Sequence, residues 1–157
     1  MPVPFEYRAA LVADVAECLV LRGLTRQNAI SAAGLAALGI TAESWRASIQ
    51  DRSLPGFVCR GGDRIVGYCF GERATGEVAV LALLPEFEGQ GIARKLLGLV
   101  MQALADAGHT ELFLGCSANP NSRSYGFYRH LGWRSLGRFD QRGDEILGYR
   151  LAANPPS

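Results

Sequence analysis

The stretch PEFEGQGIARKLLGLVMQAL, residues 85–104, decides the reading of this chain. Gly89, Gly91 and Ala93 alternate along a loop, and a basic pair, Arg94 and Lys95, follows at once. Apolar residues then recur at helical spacing: Ile92, Leu96, Val100, Leu104 and Ala107. The spacing predicts an amphipathic helix over residues 91–107, with Gly108 as its stop. Glycine lets backbone approach a ligand closely, and the first N–H groups of a helix have no partner within it. Together with the helix dipole, these donors make a site suited to an anion such as phosphate. A tight strand-to-helix turn needs the same glycines for geometry alone, so the loop by itself supports either reading. The P-loop pattern G-x-x-x-x-G-K-[ST] is absent. The dinucleotide fingerprint fails as well: Arg94 stands at its third small position, and PEFE separates the glycines from the strand.

The rest of the chain bounds the answer. Its 157 residues suffice for one domain with a substantial core, and residues 152–157 read as a loose tail. The formal charge of +1 argues against a nucleic-acid partner, as does the lack of a basic-aromatic stripe. Cys18, Cys59, Cys69 and Cys116 lie in separate apolar runs with no C-x-x-C pair, which fits buried, reduced thiols. No metal site is expected. The first residues carry charges and no long apolar region, and no stretch approaches the ~20 residues needed to cross a bilayer. The expectation is a cytoplasmic protein with no membrane contact. Two tryptophans and apolar C-terminal strands suggest a homodimer.

Outward from the loop, VPFEYR reads as a first strand and LVADVAECLVLR as a helix. Residues 23–40 are rich in Gly and Ala and show no clear period. A second helix is expected over residues 41–51, with Thr41 as its N-cap. GFVCR and RIVGYCFGE form a hairpin around GGD. EVAVLALL is apolar after its first residue, which predicts a central strand covered on both faces. ELFLGC is a further buried strand, NSRSYGFYRHL a short helix, and WRSLGRF and DEILGYRL the last two strands. The order predicts a mixed α/β domain with helices packed on a central sheet.

Two motifs together resemble the GNAT superfamily of acetyl-CoA-dependent N-acetyltransferases. The first is [RQ]-x-x-G-x-[GA] between a strand and a long helix, matched by Glu88, Gly89, Gln90, Gly91, Ile92 and Ala93. The second opens on Asn121, continues with Ser124 and Tyr128, and finishes on Gly132 and Trp133. The resemblance spans essentially the whole chain. It implies a single α/β domain with a mostly antiparallel sheet of about seven strands, a splayed strand pair, and helices on both faces. It also implies acetyl-CoA as cosubstrate, held by Leu83, Leu84, residues 88–94 (with Arg94 at the helix start), Asn121, Ser124 and Tyr128. Glu88 stands where the family has Arg or Gln, which removes a basic side chain near the pyrophosphate. Trp133 for Phe keeps an aromatic anchor.

The chemistry follows from the reaction. Acetyl transfer to an amine needs a proton acceptor for the amine, stabilisation of the thioester oxygen, and an acid for the departing sulfur. The resemblance gives the acid role to Tyr128, which shares a helix face with Asn121 and Ser124; packing against Phe127 and Leu131 is the plainer role. It gives the splayed strand end at Leu83 and Leu84 open backbone N–H groups, with Leu83 as oxyanion donor. Glu77 is the candidate base. It opens the apolar strand with the parity of Ala79, Leu81 and Leu83, and partial burial would raise its pKa. It also lies eleven residues before Glu88, a spacing found in relatives that use a glutamate base. Glu72 and a water chain are the alternatives. His109 and His130 fit surface or capping roles. The acceptor's pocket is expected from residues 23–45 and from the last hairpin, where Asp140, Asp144 and Glu145 could meet a cationic amine. A CoA-binding sensor without turnover is the second function class, with Glu88 as its one hint.

Overall fold

The computed structural model describes residues 4–25 and 30–151. Seven strands form one sheet in the order β1-β2-β3-β4-β5-β7-β6. They are β1 (Phe5–Ala9), β2 (Gly56–Gly61), β3 (Arg64–Glu72), β4 (Glu77–Leu83), β5 (Glu111–Cys116), β6 (Arg134–Phe139) and β7 (Glu145–Arg150). Among the described residues five helices cover it: α1 (Val15–Arg22), α2 (Ala32–Ala37), α3 (Ala42–Gln50), α4 (Ile92–Asp106) and α5 (Arg123–His130). All neighbouring strands run antiparallel except β4 and β5, whose parallel pairing is limited to Glu77 and Phe113. Beyond that one pair the sheet opens, giving the splay that the resemblance implies. The proposed tail at residues 152–157 lies outside the described residues, as does the start of the first strand at Val3.

The apolar stripe of α4 explains its place. Ile92, Leu96, Leu97, Val100 and Leu104 are all buried, and the helix lies across β2, β3 and β4. Two glycines of β3 admit it closely: a Cβ on Gly67 would stand 3.2 Å from Leu96, and one on Gly71 would stand 2.8 Å from Val100. On the opposite face, Trp45 of α3 meets the edges of Tyr68 and Phe70 at 5.6 and 5.2 Å. The strand buried on both faces is therefore β3, whose residues 65–71 are all buried. The expectation for β4 needs correcting. Its neighbour β5 diverges, so Ala79 is exposed and only Val78 and Ala82 are fully buried.

Other departures have equally local causes. Residues 32–37 form a short helix, α2, capped by Ser31, whose Oγ accepts the Gly34 N–H at 3.1 Å. The Ala-rich run gave no periodic signal, because Leu35 alone anchors this helix in the core. Thr41 caps α3 as expected, with a reciprocal hydrogen bond from its backbone to Ser44. Residues 12–14 form a 3-10 turn ahead of α1. There the buried Asp14 accepts two hydrogen bonds from Arg8 at 2.7 and 2.8 Å, and the Leu11 N–H at 2.7 Å. All four cysteines are buried and free.

Candidate active site

The gap between β4 and β5 is the floor of a cavity of about 650 Å³. One wall is β4 with the glycine loop, represented by Leu83, Glu88 and Ala93. The other is the end of β5 and α5, represented by Cys116, Asn121, Ser124 and Tyr128. Asp140, Arg142 and Asp144 of the last hairpin border it as well. The sheet's splay thus brings the two sequence motifs, distant along the chain, to facing sides of one space.

The loop has the form that anion binding requires. Gly89 and Gly91 are left-handed, with φ of 79° and 83°, and Gly91 is the N-cap of α4. No atom lies within 4 Å of where a Cβ on Gly91 would stand. Its surface is therefore bare backbone beside the unpaired N–H groups of a long helix. Gln90 and Arg94 are exposed at the same end, and Ile92 is buried beneath it. Glu88 is partly buried and lies 3.6 Å from Arg123, which belongs to α5. The guanidinium of Arg123 also stands 3.9 Å from the Cβ position on Gly89. A cation thus reaches the loop from across the cleft, where the loop's own sequence has a carboxylate.

The splayed strand end is more restricted than its sequence suggests. The Leu84 N–H donates to the Val66 carbonyl at 2.9 Å, so it is engaged by β3. Leu83 pairs with Gly67 at the neighbouring, non-hydrogen-bonded position, which directs its N–H away from β3 and toward the gap. The Leu83 N–H thus faces the gap and the Leu84 N–H does not.

Tyr128 is buried on α5, edge-on to Phe127 at 5.0 Å and to Trp133 at 6.1 Å. Burial pushes its phenol well above the ordinary value, so it holds its proton at neutral pH. Asn121 precedes α5 by two residues; the N-cap is Ser122, which accepts the Tyr125 N–H. Asn121, Ser124 and Tyr128 all face the same cavity.

Glu77 sits at the point where β4 leaves β5, paired across strands with Glu72 on one side and Phe113 on the other. The pairing with β3 slips between Phe70 and Gly71: Phe70 faces Val80, whereas Gly71 faces Val78. Ala79 is the extra residue of a β-bulge. Strict alternation would have placed Glu77 with Ala79, Leu81 and Leu83. The bulge instead puts it on the face of Val80 and Phe70, opposite α4. Burial raises the Glu77 carboxyl pKa, the nearby Glu72 and Asp140 raise it further, and Arg142 opposes them.

Several residues at the site have no motif to reveal them. Arg22, in the last turn of α1, and Arg142, at the hairpin tip, both border the cavity. Arg123 lies two residues after Asn121 and is visible only once α5 is seen to face the loop. Of the hairpin acids, Asp140 and Asp144 border the space, whereas Glu145 is held by Arg129. His109 contacts the Arg73 carbonyl and His130 is exposed, so neither reaches the cavity. Among the described residues no group of side chains is arranged to hold a metal ion, and no helix is long and apolar enough to cross a membrane.

A sheet that splays beside a glycine-capped helix, with a cavity in the gap, is the architecture of an acyl-CoA-dependent acyltransferase. Residues 31–133 match the acetyltransferase (GNAT) family, and the chain belongs to it. It is 30% identical over 108 residues to N-alpha-acetyltransferase 30 of Schizosaccharomyces pombe, covering 62% of this chain and 71% of that protein. Its fold matches the PaiA N-acetyltransferase of Thermoplasma acidophilum in complex with coenzyme A. That match has a TM-score of 0.70 at 17% identity, over 94% of this chain and 99% of the other. It also matches yncA of Salmonella typhimurium with its cofactor acetyl-CoA, with a TM-score of 0.72 at 16% identity and 98% coverage of both chains. The chain is an acetyltransferase with acetyl-CoA as its cosubstrate, and its second substrate is an amine.

Proposed function

We propose that this chain transfers the acetyl group directly from acetyl-CoA to a primary amine, with Glu77 as base and Tyr128 as acid. The carrying observation is that these two groups border one cavity, a carboxyl with a raised pKa on β4 and a phenol with a raised pKa on α5. The pyrophosphate lies on the α4 N-terminus and the pantetheine arm runs between β4 and α5. The amine nitrogen attacks the thioester carbonyl, forming the C–N bond, and the Leu83 N–H steadies the developing oxyanion. The amine's surplus proton passes to Glu77, directly or through a water. As the C–S bond breaks, Tyr128 gives its hydroxyl proton to sulfur and releases CoA as the free thiol. A raised carboxyl pKa makes Glu77 a stronger proton acceptor. The presence of both groups in one space favours turnover over cofactor sensing alone.

Tyr128→Phe keeps the ring and its packing but removes the proton donor. Its kcat is expected to fall on the order of 10²–10⁴-fold with acetyl-CoA affinity preserved. Glu77→Gln is expected to regain activity as pH rises and more free amine is present. The assay follows CoA thiol release and the mass of the acetylated amine. Wild-type kcat in Tyr128→Phe removes the phenol from the chemistry; a Glu77→Gln pH profile that overlays wild type passes the base role to Glu72 or water. The name of the Schizosaccharomyces pombe relative makes a peptide α-amine the first acceptor to try.

A further inference from the structure

A second cavity, of about 400 Å³, lies between α2, α3 and the face of β3 opposite α4. Leu35, Ile40, Trp45, Leu54 and Phe70 give it a mainly apolar lining, with the hydroxyls of Ser48 and Tyr68 among its polar groups. Leu35, Trp45 and Phe70 belong to the buried core, so this part of the wall is already in place without a ligand. Leu38 and Ile40 stand at the rim at 52% and 38% exposure, beside the exposed Ser44 and Arg142. Leaving large apolar groups in water around a concave surface is characteristic of a binding site.

The second cavity adjoins the catalytic one. Arg22, Ala79, Val80 and Arg142 border both, and Glu72, on the second, pairs across strands with Glu77 on the first. The boundary is the β4 bulge, where the exposed Ala79 presents only a methyl group. Charge is concentrated at this boundary. Ser44, one of the few other polar side chains, is committed to capping α3. Glu72 and Glu77 are met there by Arg22 and Arg142, so the charge is balanced, and a neutral amine nitrogen beside Glu77 with an apolar group beyond it fits this boundary.

We infer that the acceptor is a primary amine carrying a large apolar group, with its nitrogen at Glu77 and that group in the cavity between α2, α3 and β3. The inference rests on the acetyl transfer proposed above and adds the acceptor's class to it. Most of the cavity's surface is apolar, so a polar group of the same size would exchange water for few partners there, which disfavours it.

The test uses four amines at saturating acetyl-CoA: glycinamide, leucinamide, methioninamide and glutaminamide. The last two are close in size and differ chiefly in polarity. Methioninamide and leucinamide are expected to exceed glycinamide in kcat/KM by on the order of 10–100-fold. Methioninamide is expected to exceed glutaminamide by about tenfold or more. Leu38→Asp places a charge on the exposed rim without disturbing the core. It is expected to raise the KM for methioninamide by about tenfold and to leave the KM for acetyl-CoA unchanged. Equal rates for glycinamide and methioninamide, a preference for glutaminamide, or an unmoved methioninamide KM in Leu38→Asp overturns the inference and leaves acetyl transfer standing. Acetylation of none of the four overturns both.

Discussion

Gly91 and Gly98 lie seven residues apart, one at the mouth of α4 and one inside it, and substitution should move stability in opposite directions. In both places a Cβ would meet no atom within 4 Å, so crowding plays no part in the comparison. Gly91 has φ 83° and ψ 4°, and an L-residue in that left-handed region costs roughly 1–2 kcal/mol. Gly98 has ordinary helical geometry, where Ala is favoured by roughly 0.5–1 kcal/mol. For a domain near this size, each kcal/mol moves Tm by roughly 2–4 °C. Gly98→Ala is therefore expected to melt about 1–4 °C higher than wild type, and Gly91→Ala about 2–8 °C lower. Acetyl-CoA adds a second reading. At a hundredfold excess over Kd it stabilises the native state by about 2.7 kcal/mol, a rise of roughly 5–11 °C. Gly98→Ala should keep that rise. Gly91→Val should lose it, because a branched side chain stands where phosphate must approach the backbone. Thermal melts of the variants, with and without acetyl-CoA, make the measurement. A Gly91→Val protein with the wild-type cofactor shift would remove the loop from the binding site. A Gly91→Ala protein as stable as wild type would refute the strained-backbone argument itself.

Three other outcomes are expected. Glu88→Gln should tighten acetyl-CoA binding and Arg123→Ala should weaken it about tenfold, more at low salt than at high, in calorimetric titrations at two ionic strengths; equal affinities in all three proteins would place Arg123 outside the phosphate site. Asp14 has a pKa depressed by its hydrogen bonds from Arg8, so its contribution is complete above the unfolded carboxylate value near 4 and is lost as pH falls through the lower folded value. Asp14→Asn should cost about 1.5–3 kcal/mol in urea unfolding at pH 7, and a loss that is no smaller at pH 3 would break the linkage. Glu77 has the opposite sign: its folded pKa is raised, so its charge opposes folding as pH climbs through that value. Glu77→Gln should therefore melt higher than wild type at pH 7 while losing activity, and a lower melting temperature would show that the carboxylate is structural.

What the sequence reveals and what it hides can be traced to particular residues. The stripe of α4, the Thr41 cap and the strands of the β2–β3 hairpin are local patterns, and each element forms close to where its pattern places it. The chain does not announce α2, because AAGLAA has no polar face to contrast with its single buried leucine. It also hides relations that exist only between distant segments. Glu88 reads as the loss of a charge from the glycine loop, yet Arg123 reaches that loop from α5. The bulge at Ala79 belongs to the same class. Nothing in EVAVLALL marks it, because it is defined by how β4 pairs with β3. Counting in twos along β4 therefore assigns Glu77 to the face that carries Leu81 and Leu83. The slip in pairing moves it to the other face, beside Glu72 and at the edge of the second cavity, and leaves Ala79 open between the two spaces. One irregularity thus sets three things at once: the direction of the proposed base, the like-charged neighbour that raises its pKa, and the opening through which an acceptor would reach it.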